Sequence, residues 1–89
     1  MMNFGQALEL VKSGKKIYRD GWNGKGMYVY FVPAAKYKRC TEAASNLADE
    51  NDMVQYNPYF AIKNVNNTVS TWVPSVNDCL AEDWRIVEE

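Results

Sequence analysis

The 89-residue sequence contains no histidine, and its two cysteines, Cys40 and Cys79, stand far apart without a CxxC pair. Histidine is the usual general acid or base near neutral pH and a common zinc ligand, so the commonest catalytic and metal-binding arrangements are missing. Two isolated cysteines form neither a disulfide framework nor a thiolate metal site. The composition therefore predicts a protein of a reducing compartment that needs no metal and no cofactor.

Long apolar runs and an excess of positive charge are missing as well. No run approaches the ~20 apolar residues that span a bilayer, and the N-terminus lacks the basic region and apolar core of a signal peptide. The formal net charge is −1, whereas nucleic-acid binding depends on many phosphate contacts from Lys and Arg. The local basic cluster of Lys36, Lys38 and Arg39 is expected to be a solvated face. These features predict a cytoplasmic protein with neither a membrane nor a nucleic-acid partner.

Aromatic residues, by contrast, are abundant, because the chain has 3 Trp, 6 Tyr and 3 Phe. So many rings in a short chain indicate an aromatic-lined pocket, an oligomer interface, or a small core filled with large side chains. The length predicts a single ligand-binding domain over residues 1–89. A domain of this size buries only roughly 60–65% of its unfolded surface, so it gains limited stability as a monomer.

The hydrophobic pattern predicts an α+β fold. An N-terminal helix packs on a small antiparallel sheet of about four or five strands, and a short helix precedes the last strand. Asn3 and Gln6 form a capping-box pattern for the first helix, which is expected to stop at Ser13-Gly14. Ser75 and Asp78 form the same pattern for the second helix. Strands are predicted over 15–20, 27–32, 53–56, 59–65, 68–73 and 84–87.

Two connecting segments have patterns of their own. Asn66-Asn67 is expected to form a two-residue hairpin turn, because asparagine tolerates the left-handed conformation that such a turn requires. Residues 34–52 are predicted to contain a short helix over 40–49 or an ordered loop, since Leu47 is the one large apolar residue of that stretch.

The segment Gly21–Met27 has the composition of a binding loop. Glycine lets a ligand approach the backbone closely, so the N–H groups around Gly24 and Gly26 are candidate donors. Trp22 offers a stacking face and one N–H donor, and Lys25 offers a positive charge. The GxGxxG and GxxxxGK[ST] patterns are absent, and a strand rather than a helix follows. The loop is therefore predicted to bind a ligand without being a nucleotide-hydrolysing phosphate loop.

A second segment, Trp72 to Asp78, is expected to form the other wall of the same site. Trp72 ends a strand and can stack on an aromatic ligand. The exposed N–H groups at the helix start marked by Ser75 favour an anion. If the two segments meet, they make a site for an aromatic group attached to phosphates.

Each of these side chains also has a structural interpretation. Trp22 and Trp72 can be core residues, and Trp84, on an amphipathic strand, is expected to be one. Asn23 can satisfy the loop backbone instead of a ligand. Arg19 can be a phosphate contact or a surface residue.

Catalysis has little support from the sequence. No activating partner is evident for Cys40 or Cys79 as a nucleophile. The carboxylate of Asp78 is explained by helix capping, and those of Glu82 and Asp83 by a polar helix end. The chain is therefore predicted to bind its ligand and not to be an enzyme.

Five segments occur in an order that is specific for one family: Asn3–Leu8, Arg19–Met27, Tyr59–Lys63, Thr71–Ser75 and Asp78–Trp84. Together they resemble the phage-encoded Thoeris anti-defence sponge proteins of the second type, formerly a phage domain of unknown function. The resemblance covers nearly the whole chain except residues 34–52. The length and sequence also resemble the member from a Bacillus phage of the SPO1 type.

The resemblance implies a protein that works by sequestration in the cytoplasm of the infected bacterial host. Such proteins bind the messenger glycocyclic ADP-ribose, a cyclic ADP-ribose isomer, without cleaving it, so the NAD-consuming Thoeris effector stays silent. It also implies a homotetramer with ligand sites at subunit interfaces. Some relatives bind cyclic dinucleotides at separate sites as well.

The resemblance, added to the residue patterns, gives a set of expected ligand contacts: Arg19, Trp22, Asn23, Gly24, Lys25, Gly26, Trp72, Ser75 and Asp78. The tryptophans would stack the adenine, and the loop N–H groups with a cation would hold the pyrophosphate. Asn23, Ser75 and Asp78 would bond ribose hydroxyls or the base edge. Two other hypotheses are a phage inhibitor that binds a host protein and, with less support, a nucleotide-degrading enzyme.

Overall fold

The protein is a helix-covered antiparallel sheet in a computed structural model that describes residues 1–88. In chain order its elements are α1 (Phe4–Lys12), β1 (Ile17–Arg19), β2 (Tyr28–Val32), β3 (Ala35–Lys38), a 3₁₀ helix (Glu42–Leu47), β4 (Met53–Tyr56), β5 (Tyr59–Lys63), β6 (Val69–Trp72), α2 (Val76–Leu80) and β7 (Trp84–Ile86). Five strands form the main sheet in the spatial order β6-β5-β2-β1-β7, and all neighbouring pairs are antiparallel. The α+β prediction is confirmed, including the short helix before the last strand.

Both predicted capping boxes are present. In α1 the Gln6 N–H donates to Asn3 Oδ1 at 2.9 Å, and the Asn3 N–H donates to Gln6 Oε1 at 3.0 Å. The helix ends at Ser13, as expected. In α2 the Asp78 N–H donates to Ser75 Oγ at 3.0 Å, and the Ser75 N–H donates to Asp78 Oδ2 at 3.0 Å. Each helix start is therefore fixed by side chains three residues apart.

The core lies between α1 and one face of the main sheet. Register places Ile17 opposite Val29 and Val29 opposite Ile62, so the inward side chains of three adjacent strands form one row. The buried residues of this cluster are Ala7, Val11, Ile17, Val29, Ile62 and Trp84. Trp84 is fully buried, which confirms its expected place in the core.

A second, two-stranded sheet is the main departure from the sequence prediction. Strands β3 and β4 pair antiparallel, with Tyr37 opposite Val54, and form an arm connected by the 3₁₀ helix. The sequence predicted β4 but assigned 34–52 to a short helix or ordered loop, so β3 was missed. Only Tyr37 gives β3 a strong strand-forming side chain, and its pairing with β4 spans a long connection that a local pattern does not reveal.

The turn between β5 and β6 also differs in detail. The Asn64 N–H donates to the Thr68 carbonyl at 2.8 Å, and the Asn67 N–H donates to the Asn64 carbonyl at 3.0 Å. The loop therefore has three residues instead of the two predicted. Within this loop only Asn67 adopts the left-handed conformation, with φ of 66°. Three-residue hairpin loops commonly have this form, in which a type I turn is followed by one left-handed residue.

Membrane-spanning helices and metal-binding clusters are both missing from residues 1–88. No helix there is long and apolar enough to cross a membrane. No group of three or more His, Cys, Asp or Glu side chains in that range is arranged to hold a metal ion. Cys40 and Cys79 are both exposed free thiols.

Candidate functional site

A half-open groove of about 730 Å³ lies beside the glycine-rich segment, and we call it the loop groove. Six of the nine predicted contact residues line it: Arg19, Trp22, Asn23, Gly24, Lys25 and Gly26. All six lie at the end of β1 or in the connection from β1 to β2, which are neighbouring inner strands of the main sheet. The glycine-rich segment therefore borders a cavity, and ligand contact by these residues stays a prediction.

The loop groove is also lined by residues that sequence reasoning did not name as ligand contacts. They are Tyr18, Asp20, Met27, Tyr28, Ile86, Val87 and Glu88. Tyr18 and Tyr28 flank the glycine loop at the two strand ends, and β7 reaches the groove because it pairs with β1. The tyrosines could have been named from their position next to the glycine loop in the sequence. The contribution of β7 could not, because its pairing with β1 is a long-range contact.

Trp72 and Ser75 do not line the loop groove. Trp72 packs its ring against Phe60 and Trp84, with centroid separations of 6.1 and 6.2 Å. Ser75 caps α2. The two predicted segments nevertheless meet at one point, because Asp78 reaches the start of the glycine loop.

Arg19 is held between two carboxylates. Its Nε donates to Asp83 Oδ1 at 2.8 Å, and its Nη1 donates to Asp78 Oδ1 at 2.9 Å. The hydrogen bonds that Arg19 donates to Asp83 and Asp78 raise the pKa of Arg19 above its ordinary value. The hydrogen bond from Arg19 is the main cause that lowers the pKa of Asp83. All three groups therefore stay charged near neutral pH.

Asp78 is the one buried charged residue among those described, with 8% of its surface exposed. Burial acts to raise the pKa of Asp78, but hydrogen bonds from the Ser75 N–H, Arg19 and the Trp22 indole outweigh it and lower the pKa. The backbone carbonyl of Asp78 also accepts a hydrogen bond from Trp84 Nε1 at 3.0 Å. Its carboxylate is thus occupied by the protein itself.

Trp22 combines the two interpretations that the sequence left open. It is half-buried, its ring meets Trp84 edge-on at a centroid distance of 5.4 Å, and its Nε1 donates to Asp78 Oδ1 at 3.2 Å. It also lines the loop groove. Trp22 therefore packs against the core on one side and borders the cavity on the other.

The tip of the glycine loop offers unused donors. Within residues 1–88, the backbone N–H groups of the four residues 23–26 donate no hydrogen bond, and the Lys25 ammonium has no ion-pair partner. Gly26 has φ of +81°, a conformation that glycine adopts without strain, and its carbonyl accepts from Lys63 Nζ at 2.9 Å. A short run of free amides with one cation is an arrangement that binds anions.

The rest of the loop groove lining combines aromatic, apolar and acidic side chains. The Lys16 Nζ lies 5.0 Å from the centroid of the Tyr28 ring, a cation–π contact that supports the ring. The carboxylate of Asp20 is neutralised by Arg85, whose Nε donates to its two oxygens at 2.7 and 2.8 Å. Aromatic rings and free amides in one groove suit a ligand that carries both a ring and a negative charge.

Comparison with known proteins gives the family. The profile of the Thoeris anti-defense 2-like domain matches residues 2–87 of the chain. The protein named Thoeris anti-defense 2 of Bacillus phage SP01 is 40% identical to it, and the alignment covers 97% of this chain and 94% of that relative. Both findings agree with the resemblance carried by the five sequence segments.

Proposed function

The chain belongs to the Thoeris anti-defense 2-like family, and from that premise we propose that it is a phage protein that sequesters a nucleotide messenger of Thoeris defence. The ligand is glycocyclic ADP-ribose, held without cleavage in the cytoplasm of the infected bacterial host. Sequestration lowers the free concentration of the messenger, so the Thoeris effector is not activated.

The loop groove is the observation that carries this proposal. Its volume of about 730 Å³ lies within the ~300–1,000 Å³ that is usual for small-molecule sites. Its lining includes free backbone amides and Lys25 as well as the rings of Tyr18 and Tyr28. A cyclic ADP-ribose isomer presents the complementary groups, a pyrophosphate and an adenine.

The geometry supports one distribution of roles over the groove. The pyrophosphate is held by the N–H groups of residues 23–26 and by Lys25, because these donors have no partner within residues 1–88. The adenine stacks on an aromatic face, for which Tyr28 and Trp22 are the candidates. The side chain of Asn23, which is exposed at the loop tip, bonds a ribose hydroxyl.

Binding without cleavage fits the chemistry of the groove. The chain has no histidine, and the carboxylates of Asp78 and Asp83 are ionised and already hydrogen-bonded to Arg19. A general base must reach the proton that it removes, and a carboxylate held by several donors is a poor base. The groove therefore supplies donors and ring faces rather than reactive groups.

The proposal includes a homotetramer with ligand sites at subunit interfaces. The loop groove is open on one side, and a second subunit would close it over the ligand. Val73, Val76 and Leu80 form a largely exposed apolar patch at α2, and such a patch is typical of protein–protein contacts. Cyclic dinucleotides, which some relatives bind at separate sites, are further ligands to test.

Calorimetric titration with glycocyclic ADP-ribose tests the proposal. We expect saturable binding, and we expect Lys25→Ala to weaken it roughly tenfold because a charge-assisted contact is lost. The matched control is Lys38→Ala, which removes an exposed lysine of the β3–β4 arm and leaves affinity unchanged. Absence of heat at millimolar ligand would reject the proposal.

The apolar patch of Val73, Val76 and Leu80 favours one alternative function, an inhibitor that binds a host protein. That alternative requires no small-molecule binding. It also requires that Val76→Ser abolish anti-defence activity in infected cells while Lys25→Ala leaves it intact. The messenger sponge requires a strong effect of Lys25→Ala on both titration and protection.

A further inference from the structure

We infer that Arg19, Asp78 and Asp83 form a positioning clamp that holds the start of the binding loop, and that Arg19 is not a phosphate contact. This inference rests on the proposed function, because the clamp would hold the loop groove in its ligand-binding conformation. It changes the role expected for two predicted contact residues, Arg19 and Asp78.

The charge balance at Arg19 argues against an anion contact. Its guanidinium lies 2.8 Å from one Asp83 oxygen and 2.9 Å from one Asp78 oxygen, so the three side chains together carry one net negative charge. The Arg19 side chain is 19% exposed. A pyrophosphate brought to this cluster would meet two fixed carboxylates at close range, which repel it.

The same carboxylates hold two consecutive residues of the loop. Asp83 Oδ2 accepts from the Gly21 N–H at 2.8 Å, and Asp78 Oδ1 accepts from the Trp22 indole at 3.2 Å. A Cβ at Gly21 would stand 2.9 Å from Asp83 Oδ2, so a larger residue there would have to displace this carboxylate. The α2–β7 segment thus fixes the first two loop residues, while the donors of residues 23–26 stay available.

The arm contains a matched arrangement that touches no binding loop. Arg39 Nε donates to Asp52 at 2.8 Å, and Arg39 Nη1 donates to Glu42 at 3.0 Å. Loss of one carboxylate there removes the same kind of ion pair at a distance from the groove. Asp52→Asn is therefore the control for Asp83→Asn.

Two measurements test the clamp. In the ligand-free protein, we expect Asp83→Asn to speed hydrogen exchange of the Gly21 amide and the Trp22 indole N–H, observed by NMR, while Asp52→Asn changes neither. In titrations with glycocyclic ADP-ribose, we expect Asp83→Asn to weaken binding about tenfold and Asp52→Asn to have no effect. A double-mutant cycle of Arg19→Gln with Asp83→Asn should be non-additive, because both changes break one unit.

If Arg19 instead contacts a phosphate directly, the expected effect of Asp83→Asn on messenger affinity is different. Asp83→Asn would then release the guanidinium and tighten binding or leave it unchanged, and either result overturns the inference. An additive double-mutant cycle would also overturn it, because Arg19 and Asp83 would then not act as one unit. If the unaltered protein binds no messenger, the proposed function fails, and the exchange experiment still decides on the clamp. Should Asp83→Asn not fold, Arg19→Lys serves the same tests, because lysine keeps the charge but cannot bridge both carboxylates through a fork.

Discussion

Trp84 and Arg19 each connect segments that lie far apart in the chain. The ring of Trp84 packs against Phe4, Trp22 and Trp72, and its indole N–H donates to the Asp78 carbonyl. Arg19 joins the end of β1 to Asp78 and Asp83, which lie 59 and 64 residues further along the chain. Replacement of either residue therefore tests a contact between distant parts of the fold.

Replacement of Trp84 tests how much its indole N–H stabilises the fold. Trp84→Phe leaves the buried Asp78 carbonyl without a hydrogen-bond donor and creates a void beside Phe4. We therefore expect the free energy of unfolding to fall by roughly 2 kcal/mol. The control is Trp72→Phe, whose indole donates no hydrogen bond within residues 1–88 and whose replacement should cost less. Urea unfolding measures both, and equal losses would contradict the role of the hydrogen bond.

The pH dependence of stability reports on the clamp carboxylates. The hydrogen bond from Arg19 lowers the pKa of Asp83 in the folded protein below its unfolded value of about 3.9. Stabilisation by this group is therefore fully present above pH ~4 and is lost as the pH falls through the folded pKa. We expect the stability difference between the unaltered protein and Asp83→Asn to be constant from pH 5 to 8 and to shrink below ~4. A difference that persists undiminished to pH ~2 would count against this ion pair.

Local rules placed most elements of the fold. Capping boxes at Asn3 and Ser75 located both helix starts, and strand-forming runs located six of the seven strands in the described residues. The exception, β3, exists because β4 pairs with it across a long connection. Composition predicted that the glycine loop belongs to the candidate site. The contribution of β7 to the groove lining was not predicted, because it depends on the pairing of β7 with β1.

The N-cap of α2 affects both the stability of the helix and the position of Asp78, which contacts Trp22 of the loop groove. Ser75→Ala and Asn3→Ala each remove an N-cap, so we expect each to reduce stability by about 1 kcal/mol. Only Ser75 orients Asp78, and through it Trp22, so only Ser75→Ala should also weaken messenger binding. Thermal unfolding and titration separate the two effects. If both variants bind equally well, Asp78 is held independently of its cap.

The whole molecule is longer than an ordinary domain of its size. Its radius of gyration is 15.5 Å, against about 12 Å for a compact chain of this length, and its extents are 47 × 28 × 26 Å. The β3–β4 arm forms a sheet separate from the main one, and a lone two-stranded hairpin is marginally stable in water. The Tyr37 and Tyr56 rings, which pack edge-on with centroids 5.6 Å apart, join its two strands.

Light scattering of the purified protein tests the proposed homotetramer. We expect a mass four times the 10.2 kDa of the chain. Val76→Ser combined with Leu80→Ser, in the exposed apolar patch at α2, should lower the mass and, if the sites lie between subunits as proposed, weaken binding of the messenger as well. A single-chain mass together with full messenger binding would refute interface sites while leaving sequestration intact.

Sequestration itself is tested most directly by recovery of the bound messenger. The protein is incubated with glycocyclic ADP-ribose, freed of unbound ligand, and heated to unfold, and the released nucleotide is identified by chromatography. We expect intact glycocyclic ADP-ribose in amounts comparable to the protein. Release of a hydrolysed product would show that the protein is an enzyme. Release of no nucleotide would show that the protein does not sequester this messenger.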